Sequence, residues 1–194
     1  MLQTGRTLST RFDTEKAIQC AGVVLRDKGY VDLIRFLKIL YIANRETIRE
    51  TGVPLLGGRL SALEHGPLHS QVYDLVKGLG PDEEWHRHFE LDVHRIRVRP
   101  ESGEIERGAL SRLELRKLQE AEEFASRFGT WELSEETHEF EEWVRNQPAK
   151  GSSKPIPLED VYAAVDYSEE QTRQLLAEQR SHEGVDALLA SAGA

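Results

Sequence analysis

Across residues 31–50 the chain reads VDLIRFLKILYIANRETIRE, and Leu33, Ile34, Phe36, Leu37, Ile39, Leu40, Tyr41, Ile42 and Ala43 fall on nearly every side of a 3.6-residue helix. A helix that is apolar all round has no face to keep in water. It is expected at the centre of the molecule, where burying each large side chain is worth about 1.5–3 kcal/mol. The pattern turns polar from Asn44 to Glu50, which marks where the helix should leave the core, and Gly52 and Pro54 end it. Ahead of it, Ala17, Ile18, Ala21, Val24 and Leu25 form one stripe of a helix over residues 15–28, with Asp13 or Thr14 as cap and Gly29 as stop. That stripe is expected to pack on the central helix.

Beyond the central helix, VPLLGGRLSALEHG reads as two short apolar segments around Gly57 and Gly58, a pair that supplies the positive φ angles of a tight hairpin. Residues 68–77 carry Leu68, Val72, Leu75 and Val76 at helical spacing, with Pro67 suited to the first turn. Trp85 and Phe89 follow in a polar, His-rich connection. Over residues 94–99, Arg95, Arg97 and Arg99 alternate with Ile96 and Val98, the pattern of a half-buried strand, and residues 104–106 past the Ser102-Gly103 turn are its expected partner.

Ser111 and Glu114 form a capping box for a helix that runs to Gly129, and another helix is expected from about Ser134. Residues 132–147 hold six carboxylates against one arginine, so the outer face there should be strongly acidic. Residues 148–157, PAKGSSKPIP, read as a linker, residues 158–165 as a short helix, and Ser168 with Gln171 as the capping box of a terminal helix. Leu175 and Leu176 give that last helix a weak apolar stripe, and Gly184 is expected to interrupt it. The elements sum to an α+β, mostly α-helical fold: a helical body around a central buried helix, with one or two short β-hairpins. Residues 1–12 are expected to be a mobile start, 13–166 the body and 167–194 a C-terminal helix or tail.

A chain of 194 residues is long enough for a single domain with a real core. Its one cysteine, Cys20, excludes an internal disulfide and reads as a buried small side chain. There is no run of about 18 apolar residues, and MLQTGRTLSTRF lacks the apolar middle of a secretion signal, so the expected location is cytoplasmic. The net charge of −9 argues against general nucleic-acid binding and favours encounter with a basic partner.

Candidate chemistry is thin. His65 and His69 stand four apart, as zinc ligands on a helix do, but Gly66 and Pro67 break any helix between them. Cys20 has no local catalytic motif, no serine sits in a G-x-S-x-G turn, and no glycine pattern fits a phosphate. No catalytic, cofactor or metal residue is therefore assigned. Tyr41, Trp85 and Trp143 read as core residues. Arg95, Arg97 and Arg99 are the one candidate nucleic-acid face, and Glu101, Glu104 and Glu106 lie close enough to pair with them.

The order of pieces carries more than any one of them. AIQCAGVVL, LKILYIANRE, GGRLSALEHGPLHSQVYDL, LSRLEL and FGTWELSEETHEFEEW, followed by an I-P-L-E-D helix, together resemble the Panacea domain, the SocA-like antitoxin family, over residues 12–165. The resemblance implies a mostly helical cytoplasmic protein of bacteria or phages, encoded beside an unrelated toxin that it neutralises by direct binding, with no catalytic residue and no cofactor. Onto this chain it places Lys38, Leu40 and Tyr41 in the central helix, Gly66, Pro67, Val72 and Tyr73 in and after the His65-Gly66-Pro67 turn, and His138 and Trp143 later. Asn44 stands where an acidic residue or histidine is common, and Leu68 where valine is usual.

The motif residues read first as architecture. Gly66 and Pro67 should turn the chain sharply from strand into helix, bringing Tyr73 toward Tyr41 and Trp143, with His138 hydrogen-bonding into that junction. The toxin-contact candidates lie outside the motif: Glu135, Glu136, Glu139 and Glu142 on the acidic helix, and Leu175 and Leu176 on the tail. Antitoxin is thus the leading function. The alternatives are a nucleic-acid-binding transcriptional regulator using the arginine strand and, behind it, a metal hydrolase using His65, His69 and His138.

Overall fold

The computed structural model describes residues 11–79 and 83–192, so the expected mobile start lies, up to residue 10, outside the described residues. The first apolar stripe forms α1 (Thr14–Leu25), capped by Asp13, whose carboxylate accepts the Lys16 N–H at 2.9 Å. The helix stops at Leu25, short of Gly29, because Asp27 takes a left-handed φ of +55°. Val31–Asp32 forms a two-residue strand, β1, and α2 (Leu33–Thr51) follows, ended by Gly52 at φ +70°. Leu37, Ile39 and Leu40 are 5 %, 4 % and 1 % exposed, so α2 is enclosed on every side along its apolar stretch.

The polar second half of α2 leaves the core only at its end, where Arg49 and Glu50 are exposed, and not from Asn44 on. Asn44 is buried, and its Oδ1 accepts the Leu55 and Leu56 N–H groups at 2.8 and 3.3 Å. Arg45 and Thr47 are buried as well. Polar side chains can line a core helix when each finds a bond, and these do.

The next hairpin is β2 (Leu60–Leu63) with β3 (Gly66–His69), and it turns at Glu64 and His65 rather than at Gly57-Gly58. Those two glycines do have positive φ, +64° and +77°, but they shape the connection leading into β2. Pro67 and Leu68 belong to β3, so α3 (Ser70–Lys77) starts later than its apolar spacing suggested. Trp85 and Phe89 are 1 % exposed, in α4 (Glu83–His88) and β4 (Phe89–Asp92). The arginine strand is β5 (Arg95–Val98), paired with β4 on one side and β1 on the other, while residues 104–106 form no strand.

The Ser111–Glu114 capping box opens α5 (Arg112–Ser126) as expected. Gly129, expected to end that helix, is instead the N-cap of α6 (Thr130–His138), and a break at Glu139 and Phe140 separates α7 (Glu141–Arg145). Phe140 turns inward there, stacking on Tyr41 at 6.3 Å. The linker-like stretch contains β6 (Ser153–Ile156), which pairs with β2 and completes a β3-β2-β6 sheet beside the β1-β5-β4 sheet, both antiparallel. The chain ends in α8 (Leu158–Ala164) and α9 (Glu169–Ala192), the latter opened by the Ser168–Gln171 capping box and helical straight through Gly184.

Two cores flank α2. The larger joins α1, α3, α5 and the β1-β5-β4 sheet, and the smaller gathers Tyr41, Ile48, Trp143, Ile156, Val161 and Tyr162 under α8 and α9. The result is the α+β, mostly helical architecture expected. Among the described residues no helix is long and apolar enough to cross a membrane.

Candidate functional site

The β2-β3 turn is held by its carbonyls, each taken by a side chain from a different helix. Trp143 Nε1 of α7 donates to Leu63 O at 3.1 Å, Ser134 Oγ of α6 to His65 O at 2.8 Å, and Lys38 Nζ of α2 to Pro67 O at 2.7 Å. Buried carbonyls without partners would cost on the order of 1–3 kcal/mol each, so these bonds fix where the turn sits against the three helices. Gly66 makes that approach possible. Its φ is +90°, and a Cβ there would lie 2.5 Å from Thr137 Oγ1 and 2.7 Å from Lys38 Nζ. The Thr137 hydroxyl in turn donates to Ser134 O at 2.8 Å.

His138 enters the junction by stacking, with its ring 4.1 Å from that of Trp143 and nearly parallel at 16°. Its Nδ1 lies 3.5 Å from the exposed Glu135 carboxylate. Beside Trp143 sits a buried polar cluster. Tyr41 Oη and Arg45 Nε both donate to Glu142 Oε1, at 3.0 and 2.9 Å, and Arg45 continues to Ala164 O at 3.1 Å. Burial, and then the adjacent Glu142 carboxylate, hold the Tyr41 phenol well above its ordinary pKa.

Lys38 is 2 % exposed. Among the described residues it donates to Pro67 O and meets no carboxylate within 4.0 Å. Burial draws its pKa down to about 7, because an ammonium out of water favours its neutral form. It stands in the wall of a cleft of about 530 Å³ whose other walls are Leu37, Leu63, Leu68 and Tyr73. Trp131 of α6, 62 % exposed, stands at the edge of this cleft with the His65 ring edge-on to it at 5.3 Å.

The structure thus brings Lys38, His65, Gly66, Pro67, His138 and Trp143 to one junction, with Tyr41 beside them. Tyr73 does not join Tyr41 and Trp143 as expected. It packs with the larger core, along with the buried Val72, because α3 starts only at Ser70 and leads away from the turn. Glu135, Glu136 and Glu139 are exposed. Glu142, expected on the acidic surface, is fully buried, since Arg45 and Tyr41 draw it inward. Leu175 and Leu176 are half-buried against the smaller core and are not free on a tail.

Among the described residues no three His, Cys, Asp or Glu side chains gather as metal ligands would. His65 lies in the turn, whereas His69 ends β3, where its Nε2 meets Gly57 O and burial pushes its pKa down to about 4. The arginine strand is tied up in pairs: Arg97 with Glu90, Arg99 with Glu90 at 3.2 Å and Glu101 at 3.6 Å, and Arg95 with Asp92 at 3.7 Å. Of the three acids expected opposite these arginines, Glu101 is the one that pairs. Cys20 is buried, and burial pushes its thiol pKa up.

Three residues of the site were not read from the sequence: Trp131, Ser134 and Thr137. The signal was there in helical phase. Starting the helix at Thr130 puts Leu133, Ser134 and Thr137 on the inner face and Trp131 with Glu135 on the outer one, one turn apart.

The model of the family described as antitoxin SocA-like, Panacea domain, matches residues 36–144, which include most of α2, the β2-β3 turn, α6 and most of α7. No curated protein and no solved structure matches the chain.

Proposed function

Because the chain belongs to the SocA-like antitoxin family, Panacea domain, we propose that it is an antitoxin that neutralises a partner toxin by direct protein–protein binding. The observation that carries this reading is the family match over residues 36–144, more than half of the chain. In this reading the protein works in the cytoplasm of a bacterium or phage host, and it acts by occupying its partner rather than by catalysis on it. The toxin docks on the outer face of α6, where Trp131, Glu135, Glu136 and Glu139 are exposed side by side. The motif residues beneath, Lys38, Gly66, Pro67, His138 and Trp143, hold that face in place. Leu175, Leu176 and Glu142 serve packing.

Co-expression with the product of the neighbouring reading frame tests the proposal. That product is expected to arrest growth alone, to be harmless together with this chain, and to co-purify with it. A neighbour that is harmless alone, or that stays toxic and unbound in the presence of this chain, overturns the reading.

A further inference from the structure

The cleft beside the junction has a charge balance opposite to that of the whole molecule. The chain carries −9, yet the ionisable side chains Lys38, Lys77, His65 and His94 face one carboxylate there, Asp32. Asp32 already accepts the Thr130 hydroxyl at 2.7 Å. Lys38 spends one of its three donors on Pro67 O and has no counter-ion among the described residues. Trp131 stands in water at the mouth, although a tryptophan buries more apolar area than any other side chain when it is covered. An exposed aromatic anchor beside an apolar pocket is the kind of place where protein interfaces concentrate their binding energy, and here the pocket wall also holds a buried lysine that meets no carboxylate among the described residues.

We infer that this cleft receives an acidic side chain carried on an apolar segment of the protein partner, its carboxylate pairing with Lys38 while its apolar neighbours cover Trp131. The inference rests on the antitoxin reading, which supplies the partner. At about 530 Å³ the cleft has room for one or two side chains. Leu37, Leu63 and Leu68 exclude water around the pair, which strengthens a charge-assisted bond well beyond its worth at the surface. If Lys38 served only to staple α2 to β3, the charge of what binds the cleft would make no difference.

Fluorescent peptides blocked at both ends, with apolar residues around a central Glu, are titrated against the full chain by fluorescence polarisation and compared with Gln versions. The Glu peptides are expected to bind about tenfold tighter, the worth of one charge-assisted hydrogen bond. Lys38→Met should abolish that preference. Trp131→Ala should weaken both sets about thirtyfold with the melting temperature unchanged, since the ring is 62 % exposed. If Lys38→Met lowers the melting temperature, Lys77→Ala supplies the second charge variant, and it should reduce the preference for Glu.

Equal binding of Glu and Gln peptides, absence of binding, a preference that survives both lysine variants, or full competition by acetate alone each overturns the inference, the last by assigning the cleft to a small carboxylate. The toxin assay separates the two levels. A Trp131→Ala variant that still neutralises removes the inference and leaves the antitoxin reading standing, whereas a wild-type chain that fails to bind the toxin removes the reading itself.

Discussion

Gly66→Ala places a methyl group where three helices meet one turn. The backbone at this position has φ +90°, and holding a residue with a side chain there costs about 1–3 kcal/mol. The added Cβ would stand 2.5 Å from Thr137 Oγ1, 2.7 Å from Lys38 Nζ and 3.2 Å from His138 Cδ2, and the first two are closer than such atoms can remain. Both must move. Thr137 then gives up its bond to Ser134 O and Lys38 its bond to Pro67 O, each worth about 1 kcal/mol net or somewhat more for the ammonium. Together these come to about 3–5 kcal/mol, or a fall of roughly 6–20 °C in melting temperature for a chain of this size.

Calorimetry and urea unfolding at neutral pH measure both quantities. A double-mutant cycle with Thr137→Ala locates the cause, because deleting the nearest atom should recover about 1 kcal/mol of the loss. A Gly66→Ala protein within about 1 kcal/mol of wild type, or a cycle with no coupling, would refute the geometry argued for the junction.

Glu142→Ala takes the buried carboxylate from Arg45 Nε and Tyr41 Oη, leaving Arg45 with the half-exposed Glu46 carboxylate at 3.1 Å and Ala164 O, and urea unfolding should show a loss of about 2–4 kcal/mol, with Glu142→Gln milder. Cutting the chain after Val165 removes Tyr167 and Leu175, which pack against Gly52 and the end of α2, and Gln179, which donates to Tyr162 Oη at 2.7 Å. A loss of at least about 2 kcal/mol is expected by the same assay, and an unchanged midpoint would show that α9 does not support the smaller core. For Lys38, the folded pKa of about 7 lies below the ordinary 10.5, so between those values the unfolded chain binds a proton that the folded chain does not. Wild-type stability should therefore gain from this group as pH rises from about 7 toward 10.5. Lys38→Met should lack that gain and should exceed wild type by about 1–3 kcal/mol at pH 6, the difference shrinking by pH 10. Parallel pH profiles for the two proteins would count against a buried, unpaired ammonium.

What could be read from the sequence was whatever a local rule decides. The all-apolar stretch of α2, the Asp13 cap and the capping boxes at Ser111 and Ser168 depend on neighbours within a turn or so of helix, and they appear in place. The strands were harder because their partners are distant. β1 is two residues long and exists through its pairing with β5, while β6 contains Pro155 in a stretch rich in small residues and exists through its pairing with β2. The hairpin had two competing turn signals. Gly57-Gly58 has the composition of a tight turn, but turning at Glu64-His65 puts Leu60 and Ala62 in the core. Glu142 shows the same limit for a side chain. Nothing near it in sequence says that it is buried, because the groups that neutralise and bond it, Tyr41 and Arg45, come from α2.

The candidate site divides along the same line. Gly66, Pro67, His138 and Trp143 are legible as motif residues because the backbone and its carbonyls constrain them: Trp143 Nε1 and Pro67 O are bonded within the junction, Gly66 is closed in by Thr137 and Lys38, and His138 is held by stacking on Trp143 in place of the hydrogen bond expected of it. A group so engaged has little left for a partner. Among the described residues Trp131 is tied only to the His65 ring, and most of its surface stays in water. Lys38 alone belongs to both sets: it fastens α2 to Pro67 O, yet a methionine of similar length would fill the space without the expense of burying an ammonium. A stabilising substitution that also abolishes the preference for an acidic peptide would mark Lys38 as a residue where stability is given up for recognition, because the lost bond to Pro67 O predicts the opposite sign for stability.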